Sequence, residues 1–165
     1  ISVLTLRLQE YFDRQESGVA WIPHSVKRLD DNFRKFFTAL EKNSRGRYHI
    51  LFNVAERGAK DYLVNLSIGG CGDDTVVMPP VVQDVFRDLI ANARKYTPPG
   101  GEINAGLVCD DRELRLVVED NGSGIPENEI RKVVGFGYRG SNMRERETKG
   151  GGFGLTKAYA VTRQF

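Results

Sequence analysis

Residues 79–101, PPVVQDVFRDLIANARKYTPPGG, constrain the fold of this chain more than any other stretch. At about 100° per residue, Val82, Phe86, Leu89, Ile90 and Ala93 form one helical stripe, and Asp88, Asn92 and Lys95 form another on the opposite side. The prolines and glycines of TPPGG cannot continue the helix. Such a helix must bury its apolar face against a second layer. It then presents an acid, an amide and an amine in a row.

The second layer is legible on both sides of it. EINAGLVCD and ELRLVVED alternate apolar and polar residues and read as a hairpin. In RYHILFNV, Tyr48, Ile50, Phe52 and Val54 share a face. In DYLVNLSI, Tyr62, Val64, Leu66 and Ile68 do the same, and AERGAK reads as the link of a first hairpin. Upstream, Val26, Leu29, Phe33, Phe36, Phe37 and Leu40 recur at helical spacing behind Ser25, a suitable N-cap. Residues 3–16 also fit a helix, SGVAWIPHS a break and GGCGDD a loop. Pro126, Glu127 and Glu129 open a short helix. FGLTKAYAV reads as a helix led by glycines. Residues 135–152 are rich in Gly, Arg and Glu without periodicity, and so long a loop is commonly a functional lid. Two hairpins among helices predict one sheet covered on one face by helices.

Composition narrows the classes of function. The 165 residues suit one domain, with 40% hydrophobic and 28% charged residues. A net charge of +2 gives no reason to expect nucleic acid or an anionic membrane surface. No apolar run approaches about 20 residues, so no membrane span is expected, and no secretory signal is visible. Cys71 and Cys109 match no metal-ligand spacing and read as cytosolic, reduced and unpaired. With only His24 and His49 to help, zinc is not expected.

Three further stretches carry chemistry. DNGSGIP, residues 120–126, ends a strand on an acid and then gives up two side chains. Glycine permits positive φ and close backbone approach, and an acid on a rigid strand is a fixed hydrogen-bond acceptor. Together they suit a flat, amine-bearing ligand. KGGGFGL, residues 149–155, runs glycines into a helix, where free N–H groups and the helix dipole favour phosphate. Arg139, Arg144, Arg146 and Lys149 add cations, which alone would be a solvated loop. Asn92 has no propensity reason to sit inside a helix, and its oxygen is a hard ligand suited to Mg²⁺.

In that order the four stretches resemble the ATP-binding catalytic domain of sensor histidine kinases, within the wider ATPase superfamily of gyrase, Hsp90-type chaperones and MutL. The resemblance covers roughly residues 79–161. DLIANARKYTPPGGEI is similar to the N box, DNGSGIP to the first glycine box, VVGFGYRGSN to the F box and GGGFGL to the second glycine box. The KYTP ending and the phenylalanine-led box favour the histidine kinase branch. The resemblance implies an α+β fold of the Bergerat type: a two-layer sandwich with a mixed, mostly antiparallel sheet covered on one face by helices. It implies ATP and Mg²⁺ as cofactors. Asp120 would accept the adenine amine, with Gly122, Gly124 and Ile125 against the base. Asn92 would ligate Mg²⁺, and Lys95 and Tyr96 would line the ribose and phosphate side. Gly150, Gly152, Gly154 and Leu155 would shape the phosphate end, with Phe136 and Arg139 from the lid side. Residues 46–165 would be the ATP-binding domain, with its lid at about 135–152. Residues 1–45 would be a helical segment, either a linker or the end of a dimerisation region.

The implied activity is transfer of the γ-phosphoryl group to a histidine outside this chain, on a dimerisation domain, and thence to a response regulator. A homodimer is compatible with this. The expected location is cytoplasmic, as an independent protein or as part of a larger membrane-associated one, with no membrane contact by this chain. Departures from the family leave alternatives. Asp88 stands where histidine kinases often have Asn. It is either a base or orienter for a nucleophile, as in a gyrase-type ATP-hydrolysing switch, or a solvated acid beside Lys95. A degenerate nucleotide-binding interaction module is the other alternative. His24 has no adjacent acid and reads as a loop residue before an N-cap rather than a phosphoacceptor; His49 reads as a surface strand residue. The family domain normally continues with strands after the last helix; this sequence stops at Phe165, so either a further piece belongs to it or the sheet is smaller than usual, and the first 78 residues match the family only loosely.

Overall fold

Ser25 ends the first strand, β1 (Ile22–Ser25), and caps the helix that follows, α1 (Val26–Asn43), by accepting a hydrogen bond from the Arg28 N–H. This computed structural model describes residues 20–70, 74–109, 113–138 and 152–165. The expected helix at 3–16 lies outside them. After α1 come β2 (Ile50–Leu51), β3 (Tyr62–Gly69), β4 (Thr75–Met78), α2 (Val81–Tyr96), β5 (Glu102–Cys109), β6 (Leu114–Asp120) and α3 (Gly154–Gln164). Single 3-10 turns stand at Val54–Glu56 and Glu127–Glu129.

β2, β3, β5 and β6 form one mixed sheet in that spatial order, and β1 pairs with β4 in a separate antiparallel ribbon. The β5–β6 pair is the expected antiparallel hairpin. The other expected hairpin does not form: β2 and β3 pair in parallel, as do β3 and β5. The reason is the path of the chain between β2 and β3. The Asn53 side chain accepts from the Ala55 N–H and starts a 3-10 turn, so the alternation of residues 47–54 stops at Leu51. Asp61 then accepts from the His49 N–H at 2.9 Å and from the Gly58 N–H at 2.9 Å. That clip returns the chain beside β2 in the same direction. β1 and β4 were not legible either. Each has four residues, and Pro23 sits in β1, which a two-stranded ribbon tolerates because one edge needs no donors.

Two carboxylate–backbone bonds hold Asp61 below the ordinary carboxylate value of 3.8, His49 being the stronger cause and Gly58 the next. A depressed folded pKa contributes stability above the ordinary value, and that contribution is lost as pH falls through the folded value. Asp61→Asn is therefore expected to flatten the loss of stability below pH 3.8. Urea unfolding across pH 2.5 to 6 checks this. A variant with the wild-type acid profile would show that the clip does not titrate.

The core lies between the sheet and the two long helices. Leu29, Phe33 and Phe37 of α1 join Val82, Phe86, Ile90 and Ala93 of α2 over Ile50, Tyr62, Val64, Ile103, Ala105 and Leu107. On α2, Val85 is buried as well, and Leu89 is only half-buried. Phe33 and Phe86 meet edge to face, with centroids 4.7 Å apart. Because α1 supplies three core side chains, a boundary at residues 45/46 cuts through this cluster. Cys109 is disulfide-bonded, against the expectation of reduced, unpaired cysteines. The sheet register pairs Gly69 with Val108, next to Cys109, a proximity that sequence spacing hides. Cys71, the other cysteine, lies outside the described residues. No helix among the described residues is long and apolar enough to cross a membrane.

Candidate functional site

Strand alternation aims Asp120. Leu114, Leu116 and Val118 pack against the core, so the next residue of that series points to the helix side of the sheet. The register agrees, with Asp120 opposite the fully buried Ile103. Beyond it the chain turns tightly. Asp120 Oδ1 accepts from the Gly122 N–H at 2.9 Å. A Cβ on Gly122 would lie 2.6 Å from the Tyr96 carbonyl oxygen. The glycine turn is thus seated on the C-terminal end of α2. Gly124 adopts φ 66°, the left-handed region where a side chain is strained.

Several residues to which sequence pattern assigns no role support this end. Asn121 continues the ladder past β6: its N–H donates to Glu102 O, and its Oδ1 accepts from the Glu102 N–H at 2.8 Å. Thr97 is buried. Its hydroxyl donates to Ala93 O at 2.7 Å, and its carbonyl accepts from the Tyr62 hydroxyl at 3.0 Å. Burial pushes the Tyr62 phenol up, against the opposing pull of Arg94. Thr97 sits in KYTP, but nothing in that tetrapeptide reveals a tyrosine 35 residues upstream as its partner. Gly122→Ala is expected to destabilise the fold by about 1–3 kcal/mol, since the added carbon must displace backbone. Denaturant midpoints measure it, and an unchanged midpoint would show that the turn can move off Tyr96.

The other end is built where α3 meets α2. A Cβ on Gly154 would lie 2.9 Å from Asn92 Nδ2 and 3.5 Å from Asp88 Cβ, so bare backbone rests on the polar face of α2. Lys157, one turn into α3, forms an ion pair with Asp88 Oδ2. The expected neighbour of Asp88 was Lys95, whose amine instead lies 5.0 Å from the centre of the Tyr96 ring. The Phe136 and Phe153 rings meet with centroids 4.7 Å apart, tilted by 42°, and the Thr156 hydroxyl donates to Gly135 O. Gly152 has φ 73° and lies close under the Tyr138 carbonyl. Leu155 is half-buried, while Ile125 and Phe136 are exposed. Arg139, Arg144, Arg146, Lys149 and Gly150 lie outside the described residues.

His24 and His49 are placed by their partners. His24 stands in β1, with Nε2 3.1 Å from Met78 O and Nδ1 3.3 Å from Gln83 Nε2. Both ring nitrogens are therefore engaged, and it is a strand residue rather than a loop residue. His49 Nδ1 lies 3.5 Å from Glu41 Oε1.

One helix thus serves as a spine. Tyr96, Asn92 and Asp88 are spaced a turn apart along it. Gly122 touches the first, Gly154 rests on the second and third, and Lys157 pairs with the third. Such a trough offers an acceptor over bare backbone at one end and an amide, an acid and an amine at the other. Among the described residues no cluster of three His, Cys, Asp or Glu side chains could cage a metal. A cation here would take the Asn92 oxygen and complete its shell from a ligand and water, as Mg²⁺ does.

Residues 79–165 match the histidine kinase-, DNA gyrase B-, and HSP90-like ATPase family. Sensor histidine kinase Hik2 of Thermosynechococcus vestitus is 38% identical over 85 residues, 52% of this chain and 22% of that protein. Sensor histidine kinase WalK of Bacillus subtilis is 35% identical over 79 residues, 47% of this chain and 13% of that protein. The chain thus spans less than a quarter of the length of these relatives. In structure it is similar to the mycobacterial sensor histidine kinase MprB, with a TM-score of 0.57 and 19% identity over 88% of this chain and 80% of the other. The catalytic domain of histidine kinase ThkA gives 0.59 and 16%, over 88% and 82%. These structural likenesses speak for the fold. The family match spans just over half of the sequence, and with the α2 spine and its two glycine turns it places the chain in the histidine kinase-, gyrase B- and HSP90-like ATPase family.

Proposed function

We propose that this chain is the ATP-holding catalytic module of a sensor histidine kinase. The observation that carries the reading is the spine: α2 seats the Asp120 turn at Tyr96 and the α3 glycine at Asn92, so one rigid element fixes both ends of the trough. The relatives named above are sensor histidine kinases, which favours this branch of the family. In this reading Asp120 accepts the adenine amine, and Gly122 and Gly124 let backbone approach the base beside Ile125. Lys95 and Tyr96 line the ribose and phosphate side. Gly152, Gly154 and Leu155 shape the phosphate end beside Phe136; the roles expected of Gly150 and Arg139 fall outside the described residues. The Asn92 oxygen suits Mg²⁺, which when bound would neutralise phosphate charge. The residues act by positioning and charge stabilisation, not by covalent chemistry.

The phosphoryl group would pass to a histidine on a dimerisation domain and then to a response regulator, in the cytoplasm where ATP is supplied. The engaged ring of His24 weighs against it as the acceptor. The gyrase-type alternative would need Asp88 as its base, and in this structure that carboxylate is paired with Lys157. The nucleotide-binding unit would include α1, whose side chains share its core.

The test incubates the chain with Mg²⁺ and ATP labelled on the γ-phosphate, with binding followed in parallel by calorimetry. A disulfide is uncommon in a reducing cytoplasm, so the experiment is run with and without reductant. Binding without label on the chain is the expected result, and adding a histidine-bearing dimerisation domain should then move the label. Acid-labile label that vanishes in His24→Ala would make His24 the acceptor. No binding in either condition would refute the nucleotide reading.

A further inference from the structure

Lys157 has a role that the nucleotide reading leaves open. It stands one turn into α3 and pairs with Asp88. Asp88 is one turn beyond Asn92 on α2, and Asn92 is one turn beyond Tyr96, which abuts the Asp120 turn. The order along the trough is therefore Asp120, Tyr96, Asn92, then the Asp88–Lys157 pair. If the base lies at Asp120, the far pair stands where the chain of phosphates ends. Both partners keep solvent access, with 25% of the Lys157 side chain and 39% of the Asp88 side chain exposed. An ion pair this open is weak. A terminal phosphate carries more charge than a carboxylate and offers several acceptor oxygens, so it competes well for the same amine.

We propose that Lys157 is a specificity residue that distinguishes a nucleoside triphosphate from a diphosphate, with Asp88 holding its amine when the terminal phosphate is absent. This rests on the ATP-binding reading. On triphosphate binding, Lys157 Nζ leaves Asp88 and donates to an oxygen of the last phosphate. After that phosphate leaves, the amine returns to Asp88, and the diphosphate keeps no contact with Lys157. No bond is made or broken by Lys157 itself.

The test compares the affinities of Mg-ADP and of the Mg complex of the non-hydrolysable β,γ-imido analogue of ATP, by calorimetry on the whole chain. Lys157→Met is expected to weaken the triphosphate about tenfold, the scale of one charge-assisted hydrogen bond, and to leave ADP within about twofold. Lys157→Arg should restore the preference. Asp88→Asn, which frees the amine and removes a like charge, should raise the triphosphate-to-diphosphate ratio several-fold. It tests the same idea should Lys157→Met fold poorly, which thermal unfolding reports. Equal losses for both nucleotides would make Lys157 a packing residue only, and unchanged ratios in all three variants would refute the proposal. A wild-type chain that binds neither nucleotide refutes the ATP reading instead.

Discussion

Asp120→Ala is expected to weaken ATP binding by on the order of 100-fold while leaving the fold intact. A hydrogen bond to an ionised acceptor is worth roughly 1.5–3 kcal/mol, and its loss leaves the ligand amine without that partner. The structure makes the separation of binding from folding credible. Asp120 is the last residue of β6, and its described side-chain bond is the local one to the Gly122 N–H. Its loss should loosen the turn slightly and leave the α2–sheet core untouched. Calorimetry with ATP gives the affinity, and urea unfolding gives the stability. Adenosine and guanosine nucleotides should be compared in the same titrations. The wild type should prefer the adenine base, whose exocyclic amine a carboxylate can read, and the variant should lose that preference. Wild-type ATP affinity in Asp120→Ala would mean that the base binds elsewhere.

Phe33→Ala should produce the largest loss of stability, about 3–5 kcal/mol, the usual range for emptying a fully buried aromatic site. That is a large part of the 5–15 kcal/mol typical of a whole domain. Phe33 is fully buried and meets the Phe86 ring edge to face, so its removal opens a cavity at the joint of α1 and α2. The consequence reaches the site. Phe86 lies on the same helix as Asn92 and Tyr96, and a shift of α2 would displace both glycine turns that rest on it. ATP affinity should therefore fall together with stability. Removal of residues 1–45, which takes away α1, should go further and leave a chain with no cooperative unfolding transition. A truncated chain that unfolds cooperatively and binds ATP would show that α1 is dispensable.

Local signals settled a good deal before any coordinates. The stripe of α2 runs the length of the helix, and its opposite polar face carries Asp88, Asn92 and Lys95, as periodicity alone implies. Ser25 caps α1 as its position before an apolar-periodic run suggests. The β5–β6 hairpin follows from two alternating runs with a short polar link. These features share one property: the residues that decide them lie within a few positions of one another. The family boxes are of the same kind, since each glycine turn is specified by its own short stretch.

What failed to show was decided between distant residues. Alternation in residues 47–54 is real, yet whether a partner strand runs parallel or antiparallel depends on the path between them. Asp61, reaching back to His49, sets that path. Residues 22–25 form a strand only because 75–78 pair with them. The disulfide at Cys109 could not be anticipated, since sheet register and not sequence spacing governs what lies beside it. The same limit applies to the site. The sequence by itself determined α1, α2 and the β5–β6 hairpin, and supplied Asp120, Asn92 and the glycines as chemical types. Only the tertiary structure decided that one helix carries both glycine turns, that Thr97 anchors Tyr62, and that Asp88 is answered by Lys157 rather than Lys95. The physical reason is range: capping, periodicity and turn chemistry act over about four residues, whereas an ion pair or a close backbone approach requires only proximity in space.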